Sequence, residues 1–561
     1  MAANANGIQA AVDRFMAHYA ATAETQQALL ASILRRNAGT DFGREHGFGN
    51  LRTVQDYRQR VPIREWDDIA PYVDPIVDGR SGVLTKEPPF FFQRTTGTTG
   101  KPKMIPFTRR CLAGAKLTHR MWVYSALLDN PGMLKGRVMG ILNAGIEGYT
   151  WRREAYGAVS GNIYFRMPPI IRRAYSHPYD IYHIENVEAR RYSLLRFAIG
   201  HSCSFAFTGN PSSLLGIFDF ADRHSETLIK DIHDGTLAAK FDVPDPIRAF
   251  ALNELGPDPS RARALAKARG KAGHLMPVDY WPDLSVLGCW IGGSMGHFAP
   301  LLRERCGERF QFRDAGYMAS EGVFSLPVAN GTPDGILALH SVFFEFIPEH
   351  EFGRPGASAL LAHELEPQRD YHVVVTTTGG LYRYAINDVV RVTGRHAGSP
   401  LIRFLHKGSN VQNIQGEMVT IDHVTSAIAG LAAETGVKLQ HFQVAAELKS
   451  RRYVLHIEPA AALPQPLLRQ LLVGFDRELC RANENYLMFR ADRLIAPPLL
   501  RVMRRGWFDR MSQDHLAGSG RESQFKPSIL VSALKHPEMV ELSFDWPEGE
   551  IDAPAVRRAV G

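Results

Sequence analysis

The chain has few cysteines, and they are not arranged for a disulfide framework or a zinc site. Five cysteines occur in 561 residues; they lie far apart, and none is part of a Cys-x-x-Cys pair. An even, closely spaced set is typical of secreted disulfide-rich domains, and paired cysteines are typical of structural zinc. We therefore expect reduced thiols and a cytoplasmic protein.

Long apolar stretches are missing as well. The sequence contains no unbroken run of about eighteen apolar residues, the length that a membrane-spanning helix needs. The first twenty residues place apolar side chains at helical spacing and lack the basic start and apolar centre of an export signal. The sequence therefore predicts neither membrane insertion nor export.

Dense runs of basic residues are also absent. Lysine and arginine number 65 against 58 aspartates and glutamates, a net charge of +7, but the basic residues are scattered in ones and twos. Proteins that bind nucleic acid usually concentrate such residues on one face. The balance favours small anionic ligands in general, and it predicts no nucleic-acid partner and no obligate protein partner.

The chain is ordinary in composition, with 45% hydrophobic residues, and it is too long for a single hydrophobic core. Thr108 and Asn210-Pro211 are typical starts of helices. From about residue 340 the runs SVFFEFIP, YHVVVTTT and DVVRVTG predict strands, with Thr378-Gly379-Gly380 as a hairpin turn. Beyond about residue 408, strands and helices alternate, which is typical of a small α+β domain. We predict an α/β fold with a large domain, residues 1–408, and a smaller one, residues 409–561.

One short loop carries the strongest chemical signal. Residues 95–103 read Thr-Thr-Gly-Thr-Thr-Gly-Lys-Pro-Lys and follow three consecutive phenylalanines. Glycine lets the backbone turn its amides toward a ligand, threonine adds hydroxyl donors, and lysine adds positive charge. This composition predicts a site for the oxygens of a polyphosphate rather than a simple surface turn.

Two other phosphate-binding motifs do not fit this loop. A Walker loop needs four residues between its glycines and then Lys followed by Ser or Thr, whereas two residues separate Gly97 from Gly100, and Pro102 follows Lys101. The Rossmann pattern Gly-x-Gly-x-x-Gly fails because the first glycine pair is missing.

The loop resembles the phosphate-binding signature of acyl-adenylate-forming enzymes. Two further stretches follow in the order of that superfamily: AGYMASEG, residues 315–322, and GLYRYAINDVVRVTG, residues 380–394. In detail they resemble the Gretchen Hagen 3 family, the auxin-responsive acyl acid amido synthetases, as do VPIREWDDIAPYVDPIVDG, FFEFIP and SQFKPSIL. The resemblance covers about residues 60–535. It implies a large adenylate-forming body of sheets packed with helices, partly barrel-like, and a smaller, mobile C-terminal lid.

The chain departs from the family pattern at several positions. The third motif has Ala385-Ile386-Asn387-Asp388 where the family has Arg-Val-Gly-Asp, so a cation and a flexible glycine beside the carboxylate are replaced. The phosphate loop is one residue shorter than in plant members, and Lys407 stands where arginine is usual. These differences indicate a divergent, non-plant-like member in which the nucleotide contact could be altered.

The resemblance implies a role for each motif residue. The loop from Thr95 to Gly100, with Lys103, would hold the β- and γ-phosphates of ATP, and Glu321 would bind Mg²⁺. Asp388 would accept hydrogen bonds from the ribose, and Tyr317 would stack near adenine or face the acyl pocket. The nucleotide-binding set comprises Thr95, Thr96, Gly97, Thr98, Thr99, Gly100, Lys103, Tyr317, Ser320, Glu321 and Asp388.

Two lysines near the C-terminal domain complete the predicted site. Lys526 would act on the α-phosphate and the attacking carboxylate, and Lys407 would assist it. Roles without a catalytic function stay open for single positions: Glu321 could begin a helix, Asp388 could cap a turn, and Lys526 could be a surface lysine.

The function implied is an ATP-dependent ligase that adenylates a small carboxylic acid and transfers the acyl group to an amino acid or another amine. An acyl-CoA ligase shares the first step, and a non-catalytic nucleotide-binding protein would share only the fold. Both alternatives stay open, as do the identities of the acid and the amine.

Overall fold

The computed structural model describes residues 2–95, 103–142, 145–158, 161, 164, 167, 172–296, 298–354, 357–408, 411–519, 527–531 and 534–546. The chain forms two compact units. The larger contains Met1–Gly292 and Leu302–Phe404, and the smaller contains Gly293–Leu301 and Leu405–Gly561. The domain division that we predict after residue 408 stays a proposal.

Helices dominate the first part of the larger unit. They begin at capping side chains where the sequence predicts them: the Thr108 hydroxyl accepts a hydrogen bond from the Cys111 amide, and the Asn210 side chain accepts one from the Ser212 amide. The α-helices described up to residue 306 are Ala2–Ala17, Thr22–Asn37, Asp41–Glu45, Val54–Arg60, Trp66–Val77, Arg109–Asp129, Val187–Gly200, Pro211–Arg223, Ser225–Asp234, Asp245–Glu254, Pro259–Ala272, Pro277–Tyr280 and Phe298–Cys306.

A parallel sheet lies among these helices. Its four strands are adjacent in chain order: Arg137–Ile141, Cys203–Thr208, Val286–Gly288 and Gln311–Arg313. The chain leaves the last strand at its carboxyl end and runs directly into the AGYMASEG segment. In open parallel sheets the carboxyl ends of the strands are where ligands bind.

A second four-stranded sheet frames the predicted phosphate loop. Its strands lie in the order Met104–Phe107, Phe91–Arg94, Ala155–Gly157 and Gly148–Tyr149. The first two pair antiparallel, with Arg94 opposite Met104. The loop is therefore the connection of a β-hairpin and does not lead directly into a helix.

The largest sheet, here called the central sheet, has seven strands. Val342–Pro348, Asp370–Thr377 and Tyr384–His396 pair antiparallel at its middle, and residues of all three strands are buried in one apolar core of the larger unit. The strand order is Ser325–Pro327, Gly335–Leu337, Ser399–Lys407, Tyr384–His396, Asp370–Thr377, Val342–Pro348 and Leu360–Leu361. A two-stranded hairpin, Met318–Ala319 with Gly322–Val323, precedes it.

Within the described residues, the smaller unit contains a five-stranded sheet, four α-helices that follow residue 405, and the start of the helix Phe298–Cys306. Its strand order is Leu530–Val531, Leu439–Glu447, Arg452–Pro459, Leu499–Met503 and Val540–Phe544, and Val411–Gln412 pairs separately with Val419–Thr420. The helices are Ile421–Thr435, Gln465–Ala482, Glu484–Ala491 and Trp507–Ser519. Leu468, Leu471, Leu472, Phe475 and Leu479, one stripe of the second helix, are buried in the core of this unit.

The predicted α/β class is confirmed by this architecture. The predicted mobility of the C-terminal domain stays a proposal. None of the helices in the described ranges is both long enough and apolar enough to cross a bilayer.

Candidate active site

The predicted phosphate loop is closed at its base by two of its own residues. The Thr95 amide donates to the Lys103 carbonyl at 3.1 Å, and the Lys103 amide donates to the Thr95 hydroxyl at 2.9 Å. These bonds hold the two strands of the hairpin together where the loop begins and ends. The loop residues Thr96, Gly97, Thr98, Thr99 and Gly100 lie outside the described residues.

The Lys103 side chain reaches across to the central sheet. Its Nζ donates to the Tyr384 hydroxyl at 3.2 Å and lies 5.4 Å from the centre of the Trp66 ring. The Tyr384 hydroxyl is also 3.5 Å from Glu321 Oε1. One tyrosine hydroxyl therefore lies between the cation predicted to hold phosphate and the carboxylate predicted to bind the metal ion.

Glu321 and Ser320 form the two-residue turn of the short hairpin Met318–Ala319 and Gly322–Val323, and both are half-buried. The alternative that Glu321 begins a helix is therefore wrong. From this turn the Glu321 carboxylate approaches the Tyr384 hydroxyl. Burial, together with the nearby Glu321 and Asp388, raises the pKa of Tyr384, so its hydroxyl keeps its proton at neutral pH.

Tyr317 and Asp388 form a second buried contact. The Tyr317 hydroxyl donates to Asp388 Oδ2 at 2.6 Å, and Asp388 is 2% exposed. Burial and the Asp388 carboxylate together raise the pKa of Tyr317. The Tyr317 ring packs against Phe404, with ring centres 5.4 Å apart, and against Phe324. Stacking of this ring on adenine stays a prediction.

Asp388 lies inside the strand Tyr384–His396, so the alternative that it caps a turn before a strand is wrong. The preceding residue, Asn387, has a φ of +61°. The pairing of this strand with Asp370–Thr377 shifts register here, from His372–Val389 to Val374–Ala385. The extra residues form a bulge, which sets the direction of the Asp388 side chain.

The replacement of the family's glycine by Asn387 is explained by this backbone. Left-handed conformations favour glycine, and asparagine is among the side chains that tolerate them best. Asn387 therefore keeps the backbone conformation that glycine would supply. Ala385 is buried, and its amide donates to the Arg64 carbonyl.

A cleft lies next to Glu321. It encloses about 400 Å³ of space free of protein atoms, part of it open to solvent. Its walls are largely apolar and include Phe107, Cys111, Ala115 and Val323. Cys111 and Ala115 belong to the helix Arg109–Asp129, which therefore forms part of the wall of this cleft.

The two predicted catalytic lysines belong to the C-terminal part of the chain. Lys407 is the exposed last residue of the strand Ser399–Lys407, and its carbonyl accepts a hydrogen bond from the His406 ring. Lys526 lies outside the described residues. The catalytic roles of both lysines stay predictions.

The donor set around Glu321 fits one kind of metal site. The described residues contain no group of three or more His, Cys, Asp or Glu side chains that could hold a metal ion by themselves. Mg²⁺ usually takes one or two carboxylates and completes its shell with phosphate oxygens and water. A single half-buried glutamate close to the Tyr384 hydroxyl, to which Lys103 also donates, suits that arrangement.

Sequence reasoning missed Tyr384 and Trp66 as parts of this site. Tyr384 lies in the third motif, four residues before Asp388, and Trp66 lies in the VPIREWDDI segment. Backbone hydrogen bonds of Arg64 with Arg383 and Ala385 bring the two segments together. Both residues lie in segments that resemble the family, and that could have marked them as candidates. A single sequence does not show that these two segments contact each other.

Comparison with known proteins identifies the family. The family models described as the GH3 family N-terminal, central and C-terminal domains match residues 11–310, 335–407 and 422–535. The chain belongs to the GH3 family. The predicted family, Gretchen Hagen 3, is thereby confirmed.

Named GH3 relatives cover nearly the whole chain. The chain is 26% identical to an indole-3-acetic acid-amido synthetase, GH3.8, from Oryza sativa subsp. indica, over 92% of this chain and 89% of the relative. It is 27% identical to a jasmonoyl-L-amino acid synthetase, GH3.5, from Oryza sativa subsp. japonica, over 91% and 92%. The prediction of a carbon–nitrogen ligase agrees with the activity that both names state.

A solved structure shares the fold. The GH3.15 acyl acid amido synthetase superposes with a TM-score of 0.81 at 20% identity, and the match covers 93% of this chain and 95% of that one. The GH3 architecture therefore extends over both units of the chain.

Proposed function

We propose that this GH3 protein is an ATP-dependent acyl acid amido synthetase that joins a small carboxylic acid to an amino acid. The observation that carries the proposal is the contact of Lys103 and Glu321 with one hydroxyl, that of Tyr384, beside an apolar cleft. The amido synthetase activity named for its relatives supports it.

The chemistry proposed has two steps. A carboxylate does not react with an amine in water, because its carbonyl is electron-rich and oxide is a very poor leaving group. In the first step a carboxylate oxygen attacks the α-phosphorus of ATP, and pyrophosphate leaves. In the second step the amine attacks the carbonyl carbon of the acyl-adenylate, and AMP leaves as the amide forms and the amine loses a proton.

The larger unit would bind the reactants of the first step. Thr95 and the loop up to Gly100 would donate to the β- and γ-phosphates, and Lys103 would add a positive charge. Preorganised donors of this kind stabilise the charge that gathers on phosphoryl oxygens. The apolar cleft beside Glu321 would hold the hydrocarbon part of the acid.

Glu321, with Ser320 beside it, would hold Mg²⁺, which supplies charge neutralisation at the phosphates. Asp388 would accept hydrogen bonds from the ribose. Because Asp388 is buried and accepts from Tyr317, the ribose would have to enter beside or in place of that hydroxyl. Lys526, assisted by Lys407, would act at the α-phosphate.

The experiment is a screen of carboxylic acids by pyrophosphate release with ATP and Mg²⁺. Each acid is tested alone, then with amino acids, then with coenzyme A, and products are identified by mass spectrometry. The proposal predicts AMP and an N-acyl amino acid. Lys103→Ala should lose this activity, and Lys135→Ala, which removes an exposed lysine elsewhere in the larger unit, should keep it.

The two alternatives give different results. A thioester with coenzyme A and no amide would identify an acyl-CoA ligase. Binding of ATP by calorimetry, with no AMP formed across the panel, would identify a non-catalytic nucleotide-binding protein. Either result would overturn the proposal.

The cytoplasm is the location we propose. All five cysteines are free thiols in the structure, and four of them are buried. Proteins of oxidising compartments usually pair such residues.

A further inference from the structure

The ammonium group of Lys103 lies against two aromatic rings. Its Nζ atom is 5.4 Å from the centre of the Trp66 ring and 5.9 Å from the centre of the Tyr384 ring, and it donates to the Tyr384 hydroxyl at 3.2 Å. A lysine within about 6 Å of such a ring centre is attracted by the negative face of the π-system, and tryptophan attracts it most strongly. The indole ring of Trp66 therefore helps to fix where this cation lies.

Backbone hydrogen bonds fix Trp66 in relation to Tyr384. Trp66 begins a helix and is half-buried against an apolar core of the larger unit. Two residues earlier, the Arg64 amide donates to the Arg383 carbonyl at 3.0 Å, and the Arg64 carbonyl accepts from the Ala385 amide at 2.9 Å. These two partners flank Tyr384 in the chain. The two aromatic rings therefore belong to segments that are joined through their backbones.

The backbone of Lys103 is held as well. Its amide donates to the Thr95 hydroxyl, and its carbonyl accepts from the Thr95 amide, at the base of the predicted phosphate loop. The main chain and the ammonium group of this lysine are thus both held, although a lysine side chain has many rotamers when it is free. A side chain that must become ordered on binding reduces affinity. Prior ordering of Lys103 therefore favours the binding of a phosphate ligand.

An aromatic ring differs from a carboxylate as a partner for this lysine. A carboxylate would neutralise the positive charge and would repel the phosphates that we predict Lys103 to bind. The face of an indole ring attracts the ammonium group but carries no formal charge. An ammonium group has three N–H donors, of which the bond to the Tyr384 hydroxyl uses one. Contact with Trp66 thus orients the cation and preserves its attraction for anionic oxygens.

We propose that Trp66 is a positioning residue for Lys103. Its ring holds the ammonium group at the place from which Lys103 binds the β- and γ-phosphates of ATP, and this contact is kept when ATP binds. Trp66 acts through the lysine and not by contact with the nucleotide. The proposal rests on the part of the proposed function in which Lys103 binds phosphate.

The test is a double-mutant cycle in which calorimetry measures the Kd of ATP with Mg²⁺ for the full chain. Lys103→Ala should weaken ATP binding about tenfold or more, the usual effect of losing a hydrogen bond to a charged group. Trp66→Leu should weaken it about three- to tenfold, through loss of the cation–π contact and of the ordered side chain. In the Lys103→Ala background, Trp66→Leu should leave the Kd unchanged, because no ammonium group is present to be positioned.

Two comparisons distinguish positioning from general damage to the site. AMP lacks the β- and γ-phosphates, so Trp66→Leu should leave the Kd of AMP unchanged, whereas a distorted site would bind both nucleotides more weakly. Trp66→Phe keeps an aromatic face and should recover most of the ATP affinity that Trp66→Leu loses.

Trp151→Leu is the matched control. The Arg152 guanidinium lies over the Trp151 ring at 5.1 Å, so this variant removes another cation–π contact. Trp151 precedes the strand Ala155–Gly157, which runs parallel to Phe91–Arg94. The predicted phosphate loop follows Phe91–Arg94, so Trp151 lies toward the opposite end of the sheet. Trp151→Leu should therefore bind ATP with the wild-type Kd.

Three results would overturn the proposal. They are an unchanged Kd of ATP in Trp66→Leu, tighter binding in that variant, as expected if the ring holds the lysine away from the phosphates, and an equal loss in the Lys103→Ala background. Circular dichroism and thermal midpoints establish that each variant is folded. If Trp66→Leu does not fold, Trp66→Met, which also lacks a ring, takes its place.

Failure of the proposed function gives a different pattern. If Lys103→Ala leaves the Kd of ATP unchanged, the phosphate role of Lys103 is wrong, and the positioning role of Trp66 is wrong with it. If the double-mutant cycle gives the expected values but no carboxylic acid is activated, the proposed synthetase activity alone is wrong.

Discussion

At the scale of single residues, Asn387 determines how Asp388 is presented. The residue has a φ of +61°, at a bulge in the strand Tyr384–His396. The family pattern has glycine at this position, and glycine adopts such angles without steric cost. Asparagine keeps the conformation at a small cost, so the bulge that directs Asp388 is retained.

Substitution of Asn387 tests this role of the backbone. A β-branched residue is a genuine outlier at this φ, so Asn387→Val should lower stability by about 1–3 kcal/mol, whereas Asn387→Gly should stay within about 1 kcal/mol of the wild type. Thermal midpoints of the variants measure the difference. Thr393→Val, on the same strand but with ordinary φ, is the control; equal losses in both valine variants would exclude a backbone origin.

Tyr384 connects Lys103, the predicted phosphate lysine, with Glu321, the predicted metal ligand, through contacts of its hydroxyl with both side chains. Tyr384→Phe removes the acceptor of the Lys103 hydrogen bond, and we expect the rate of ATP–pyrophosphate exchange to fall about ten- to hundredfold. Tyr371→Phe is the matched control: Tyr371 lies on the neighbouring strand Asp370–Thr377, and its hydroxyl accepts a hydrogen bond from the Glu366 amide. A wild-type rate in Tyr384→Phe would remove this tyrosine from the site.

Asp314 makes the stability of the larger unit depend on pH. It is 3% exposed, and burial raises its pKa to about 6, although the amides of Ile291 and Gly316 donate to it and act in the opposite direction. A folded pKa above the unfolded value means that the folded state holds the proton more tightly. This contribution to stability is complete below about pH 4 and is lost as the pH rises through 6.

The wild type should therefore gain about 1 kcal/mol from Asp314 on acidification from pH 7 to pH 5. Asp314→Asn should lack this gain, although it loses one of the two amide hydrogen bonds at every pH. The measurement is the difference between wild-type and variant midpoints of urea unfolding at the two pH values. A difference that does not change with pH would contradict the raised pKa.

At the scale of elements, the helix Arg109–Asp129 packs closely against the turn that precedes the strand Val342–Pro348. A Cβ at Gly114 would meet the Cβ of Ser341 at 2.5 Å, and Ser341 lines the cleft. Glycine is therefore required at position 114 because a side chain would collide with Ser341, and not because the backbone adopts a positive φ. The same helix contributes Cys111 and Ala115 to the cleft, so the distance between this helix and Ser341 affects the width of the cleft.

Gly114→Ala should narrow the cleft by displacing Ser341 or the helix. Overpacking of this kind typically costs 1–3 kcal/mol, so we expect the KM for the acid to rise at least about fivefold while the KM for ATP changes little. Gly114→Ala combined with Ser341→Gly should restore the acid KM. Gly270→Ala, in a helix where the added Cβ meets nothing, is the control and should if anything stabilise.

Local signals predicted elements well where they act over a few residues. Thr108 and Asn210-Pro211 begin helices, and Thr378-Gly379-Gly380 lies between two antiparallel strands. The alternatives in which Glu321 begins a helix and Asp388 caps a turn were wrong. The positions of both residues are determined by strand pairing, which places Glu321 in a hairpin turn and Asp388 inside a strand. A turn of two residues and a bulge depend on partner strands that a single sequence does not identify.

At the scale of the whole molecule, three ordered motifs were enough to identify the family, and with it the α/β class. The order of strands in the parallel sheet could not be predicted, because Arg137–Ile141 pairs with Cys203–Thr208 more than sixty residues later. Nor could the contact of Lys103 with Tyr384, which joins residues far apart in sequence. Such contacts depend on the complete fold, whereas motifs report only the chemistry.

The central claim is that the larger unit activates a carboxylic acid as its adenylate, and oxygen-18 labelling tests it most directly. An acid found in the screen is labelled in both carboxylate oxygens and incubated with ATP, Mg²⁺ and the preferred amino acid, and AMP is analysed by mass spectrometry. Attack of the carboxylate on the α-phosphorus predicts one labelled oxygen in each AMP and one in the amide product. Unlabelled AMP, with the label in phosphate or pyrophosphate, would contradict the claim.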